Sequence, residues 1–94
     1  MPGMVTKIHA LTATITSSTL ETLIGAPLNP MTKRIQLISL AAEVHYDDGT
    51  ATAAGSPKLS QLCPLILEGG PGELGALEFI ASVTTKKFSC IEEG

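Results

Sequence analysis

The glycines of Gly70-Pro71-Gly72-Glu73-Leu74-Gly75 have the GxGxxG spacing with which a strand-to-helix turn offers backbone amides to a pyrophosphate. An apolar strand, Leu65 to Leu67, precedes them. A second apolar run, Phe88 to Ile91, ends in Glu92, about where a dinucleotide site places its ribose-binding acid. Against this, Pro71 has no amide hydrogen to give, and the chain upstream reads as hairpin material rather than βαβ units. No Lys-Ser or Lys-Thr pair follows Gly75, so the loop is not a P-loop. A flexible connection between strands accounts for these glycines with fewer requirements, and nucleotide or small-ligand binding through residues 69–75 stands as the alternative.

His45, Asp47 and Asp48 form a second concentration of chemistry-bearing side chains. They supply at most two or three metal ligands without EF-hand spacing, and Asp47-Asp48-Gly49 is explained by turn chemistry alone. Nucleophilic catalysis would need Cys63, Cys90 or a serine beside His9 or His45 and an orienting acid. No spacing supports such a set, and GxSxG is absent. His9 reads as a solvent-facing strand residue. The two cysteines form no CxxC and read as reduced thiols. The expectation is a protein with no catalytic residue, no metal and no cofactor.

The elements that would position these residues centre on Lys33 to Ala54. Ile35 and Leu37 are apolar in one phase, and Ile38, Leu40, Ala42, Val44 and Tyr46 in the other. That switch implies a bulge or a stretch buried on both faces. Asp48-Gly49 then predicts a two-residue hairpin turn, with Tyr46 opposite Ala51 and Val44 opposite Ala53. Upstream, Val5 to Ser17 reads as a strand with Leu11, Ala13 and Ile15 on one face and Thr12, Thr14 and Thr16 on the other. Ser18-Thr19-Leu20-Glu21 fits a capping box for a short helix over 19–24, stopped by Gly25 and Pro27. Ser56-Pro57 predicts a second helix over 57–63. Leu77, Phe79, Ala81 and Val83 alternate as a strand, although Leu74, Leu77, Ile80 and Ala81 would also share a helix face. A final strand runs over Phe88 to Ile91, ahead of an acidic Glu92-Glu93 end.

The fold expected is one domain over residues 1–94, with 1–6 as a flexible N-terminal arm. It is mainly β: a small antiparallel β-barrel or β-sandwich of about five to seven strands with one or two short helices. The alternative is an α+β chain with a C-terminal helix at about 71–85.

Composition supplies the functional hint. Charged residues are 16% of the chain and hydrophobic residues 44%, with threonine, serine, alanine and glycine in place of the missing charge. A neutral surface of this kind can be buried against a neighbour while desolvating few ions. The formal net charge of −3 and two isolated basic pairs, Lys33-Arg34 and Lys86-Lys87, argue against nucleic acid. No apolar run is long enough to span a bilayer, and Lys7 and His9 break any signal-peptide core, so synthesis in the cytoplasm is expected. The function expected is non-catalytic and structural. It is a self-associating or surface-coating subunit, such as a capsid decoration (cement) protein of a virion, whose partner is itself or a larger protein lattice. The contact residues expected are Thr12, Thr14 and Thr16, then Pro27, Asn29 and Pro30, and Gly70, Pro71 and Gly72. A monomeric adaptor binding a peptide at a sheet edge is a further alternative.

Overall fold

A computed structural model of the chain describes residues 5–40, 43–60 and 62–94. Strand takes 42% of the chain and helix 12%, so the mainly β expectation holds, with two antiparallel sheets and two short helices. In chain order the elements are β1 (Val5–Ala13), β2 (Ser18–Thr19), α1 (Leu20–Ile24), β3 (Arg34–Ser39), β4 (Val44–Asp47), β5 (Leu65–Glu68), α2 (Pro71–Gly75), β6 (Glu78–Ala81) and β7 (Lys86–Glu93). The larger sheet has the order β1-β7-β3-β5 and the smaller β2-β6-β4. No closed barrel forms among the described residues. Nor is any helix among them long and apolar enough to cross a membrane.

The core follows from period-two patterning. Leu11 and Ala13 on β1, Ile35 and Leu37 on β3, and Phe88 and Cys90 on β7 are all buried. The registers Leu11↔Phe88 and Leu37↔Cys90 put them on one face of the larger sheet. The smaller sheet contributes Val44, Phe79 and Ala81 to the same cluster. Phe79 stacks on Phe88 across the two sheets with ring centroids 4.9 Å apart. Such a pair contributes about 0.5–1.5 kcal/mol beyond its burial. Leu20 from α1 and Leu28 from the following loop complete the cluster.

The first strand ends at Ala13, so Ile15 does not continue its buried face and is 63% exposed. Of the arm expected at 1–6, residues 1–4 lie outside the described ones, while β1 already begins at Val5. The helix expected over 19–24 forms as α1, but its cap is Thr19 rather than Ser18, with Thr19 Oγ1 accepting from the Thr22 N–H at 3.2 Å. Gly25, at φ 85°, closes it in a left-handed conformation that a side chain would strain.

The hairpin expected at Asp48-Gly49 is corrected. β4 pairs with β6, so that Tyr46 lies opposite Phe79 and Val44 opposite Ala81. A two-residue turn of the favoured hairpin type needs positive φ at both central residues. Among the described residues only Gly25 has it. Asp47 takes up the turn amides instead, its Oδ1 accepting from the N–H of Asp48 at 2.8 Å and of Gly49 at 3.4 Å. The chain returns to β4 only at Pro57–Leu59, through Tyr46 N–H to the Pro57 carbonyl and Leu59 N–H to the Val44 carbonyl. That extended return occupies part of the helix expected over 57–63, and among the described residues of that range no helix forms. Gln61 lies outside them.

No register irregularity interrupts β3 at Leu37/Ile38. Its burial alternates regularly, and as an inner strand between β7 and β5 it half-buries Ile38 as well. The phase change belongs to the crossing from β3 in one sheet to β4 in the other. The region 71–85 divides into the five-residue α2 and strand β6, which favours the strand reading over a long helix. The last strand extends beyond Phe88–Ile91 to Lys86–Glu93 and takes in both terminal acids.

Candidate functional site

The GxGxxG segment does not stand in a βαβ unit. β5 before it pairs antiparallel with β3, and β6 after it lies in the other sheet. Gly75 has a packing reason, since a Cβ there would sit 2.6 Å from Glu21 Cγ on α1. Glu92, the acid at the dinucleotide-like spacing, is buried in the core-facing phase of β7 and fully engaged elsewhere.

The acids and histidine after β4 also have structural duties. His45 is buried, with Nδ1 2.7 Å from the Ser56 carbonyl oxygen. The Ser56 hydroxyl donates to Asp47 Oδ2 at 2.8 Å and accepts from the Thr52 N–H at 2.9 Å. Hydrogen bonds from Ser56, Asp48 and Gly49 hold the Asp47 carboxyl below its usual value. The serine hydroxyl therefore faces an acid, the histidine faces a carbonyl, and no nucleophile–base pair results. Among the described residues no group of three or more His, Cys, Asp or Glu is placed to hold a metal. Cys63 is exposed and Cys90 buried, both as free thiols. Burial, then the neighbouring Glu92 charge, pushes the Cys90 thiol up to about 12, which makes it unreactive.

Sequence reasoning missed a buried acidic anchor. Glu92 follows Phe88 and Cys90 in the core phase of β7, opposite Lys7 and Ile35. Its Oε1 accepts from the Asn29 N–H at 2.8 Å and the Thr32 hydroxyl at 2.7 Å, while Oε2 lies 2.5 Å from His9 Nε2. His9 is therefore not solvent-facing: its side chain is 10% exposed and set against Glu92. Burial alone would raise the Glu92 carboxyl, but the bonds from His9, Thr32 and Asn29 outweigh it and hold the group below its ordinary value. A cleft of about 290 Å³ opens beside this cluster, lined by Lys7, His9, Ile24, Ala26, Pro27, Asn29 and Glu92. The signal was present in the alternation Phe88, Cys90, Glu92, because an acid in core phase must find donors.

The residues expected to make contacts divide between the two ends of the molecule. Thr12 is exposed on the outer face of the larger sheet, opposite Lys87. Thr14 and Thr16 lie beyond β1 in a local turn, with the Thr14 hydroxyl donating to the Thr16 carbonyl at 3.1 Å. Pro27, Asn29 and Pro30 are exposed in the loop fastened by Glu92, where Thr32 N–H closes a turn onto the Asn29 carbonyl at 2.9 Å. The segment with Gly70, Pro71 and Gly72 stands at that same end, where Gly69 N–H donates to the Lys33 carbonyl. They do not form one surface.

What the structure does assemble is a neutral outer face on the larger sheet. Ile8↔Ile91, Gln36↔Ile91 and Gln36↔Ile66 set one row across all four strands, and Ala10↔Ser89↔Ile38 set the next. Ile8 is 67% exposed and Ile66 53% exposed. Beyond the isoleucine row, Glu93 is buried between Arg34 Nε at 3.2 Å and Gln36 Nε2 at 3.0 Å, with Glu68 exposed on the far side of Arg34. At the opposite end stands the exposed Lys87. No family model, curated protein or solved structure matches the chain.

Proposed function

We propose that the chain is a non-catalytic structural subunit, a β-sandwich that associates with copies of itself or coats a larger protein lattice such as a capsid. The observation that supports this reading is the outer face of the four-stranded sheet, where isoleucines from β1, β7 and β5 lie in one row with two of them more than half exposed. Nearly every charge on that face is confined to its ends. Burying such a surface removes apolar area from water and strips few ions, which favours a protein partner. The strand β1 adds to this, because among the described residues it is an edge strand of nine residues that pairs with β7 alone. The histidines and most of the acids nearest the clefts are engaged in holding loops, which leaves little with which to carry a reaction.

Size-exclusion chromatography with light scattering tests the reading. The mass of the wild-type chain is expected to rise above that of the monomer as concentration goes from about 1 µM to about 1 mM. A monomer mass across the whole range would overturn self-association.

A further inference from the structure

We infer that the occupant of this outer face is a second copy of the same chain, packed face to face with its strands antiparallel about a two-fold axis. The inference rests on the self-association proposed above and names its surface and symmetry.

The first argument is charge. One end of the face carries the Glu93–Arg34–Glu68 row, in which two carboxylates against one guanidinium leave one net negative charge. The other end carries Lys87, opposite the neutral Thr12. A two-fold axis lying in the interface and perpendicular to the strands turns the basic end of each copy over the acidic end of the other. An axis along the strands would instead lay like ends together. Complementary ends fix orientation and disfavour the wrong one, which is what rim charges do best.

The second argument is shape. The same axis lays the row containing Ile8 and Ile91 over the partner's row containing Ala10 and Ser89. On β1 and β7 large side chains thus meet small ones, as interdigitating sheets require, while on β3 Gln36 lies over the partner's Ile38.

Size then sets the strength. Four strands spaced about 4.8 Å apart and about seven residues long at roughly 3.3 Å each give a face near 19 by 23 Å. Two such faces fall short of the roughly 1,600 Å² of a standard interface, which places the contact in the weak, transient class.

Sedimentation velocity of the wild type and of surface variants tests this. Ile8→Glu and Ile66→Glu alter exposed side chains and leave the buried core untouched, which circular dichroism can verify. Each is expected to weaken dimerisation by roughly 100-fold or more. Lys87→Glu is expected to weaken it by roughly tenfold, and adding Glu68→Lys, which reverses the opposite end, to recover most of the loss. A dimer that persists in the isoleucine variants would overturn the docking face and leave self-association standing. A dimer lost in Lys87→Glu and not recovered by the double change would overturn the antiparallel arrangement. A wild-type monomer at every concentration would overturn both this inference and the reading it rests on.

Discussion

Glu92 shows how one side chain can tie the end of the chain to a loop more than half its length away. Its carboxylate satisfies the Asn29 amide and the Thr32 hydroxyl and faces His9. Replacing it by alanine removes the acceptor of all three of these contacts at once, so Glu92→Ala is expected to cost roughly 3 kcal/mol in chemical denaturation. The pH dependence has a definite sign. The folded-state value lies below the ordinary one because these bonds outweigh burial. The stabilisation is therefore complete above the ordinary carboxylate value of the unfolded chain and lost as pH falls through the lower folded value. Unfolding measured against pH should show this acid-linked loss in the wild type and a flatter profile in Glu92→Gln. The thiols give a second residue-scale prediction. Cys63 is exposed, while Cys90 is buried with its thiol raised to about 12. A maleimide should modify Cys63 alone in the native protein and both thiols in denaturant; fast native labelling of Cys90 would contradict the packing of β7.

Among the elements, α1 depends on its two ends more than on its length. Five residues cannot sustain a helix alone, so the Thr19 cap and the left-handed Gly25 matter disproportionately. Thr19→Ala should cost about 1 kcal/mol, with Thr19→Ser retaining most of it. Thermal unfolding of the two variants separates the cap from general side-chain loss. The alternations of β1 from Leu11 and of β6 were legible in the sequence because each has one buried face, although β6 also fitted a helix face, and β7 was legible only as a short apolar strand over Phe88–Ile91. The return after β4 was not. Asp48-Gly49 carries the composition of a tight hairpin, yet Asp47 and Ser56 side chains bind the intervening amides and carry the return on to Pro57. A dipeptide preference is local, and these bonds are not. Residues 57–63 misled in the same way: Ser-Pro followed by leucines fits a helix start, but pairing with the edge of β4 places Lys58 opposite His45. For the site, the threonine pattern pointed to the outer face only at Thr12. The isoleucines of that face come from strands distant in sequence, and their shared row exists only once the register is known.

At the scale of the whole molecule, a charge-poor surface becomes one definite face on the larger of two unequal antiparallel sheets. The four-stranded sheet gives its inner side to the core and its outer side to Ile8, Ile66 and Ile91, with opposite charge at its two ends. The proposed self-association requires that this face be covered when molecules meet. Ala10 sits near the centre of the face and is exposed, whereas Asp48 lies in the turn after β4 in the other sheet. With Cys63 changed to serine, maleimide labelling of Ala10→Cys and of Asp48→Cys between about 1 µM and about 1 mM protein reads the covering directly. Labelling at position 10 is expected to slow markedly as concentration rises, while labelling at position 48 is not. Equal rates at position 10 across that range would contradict the proposed self-association.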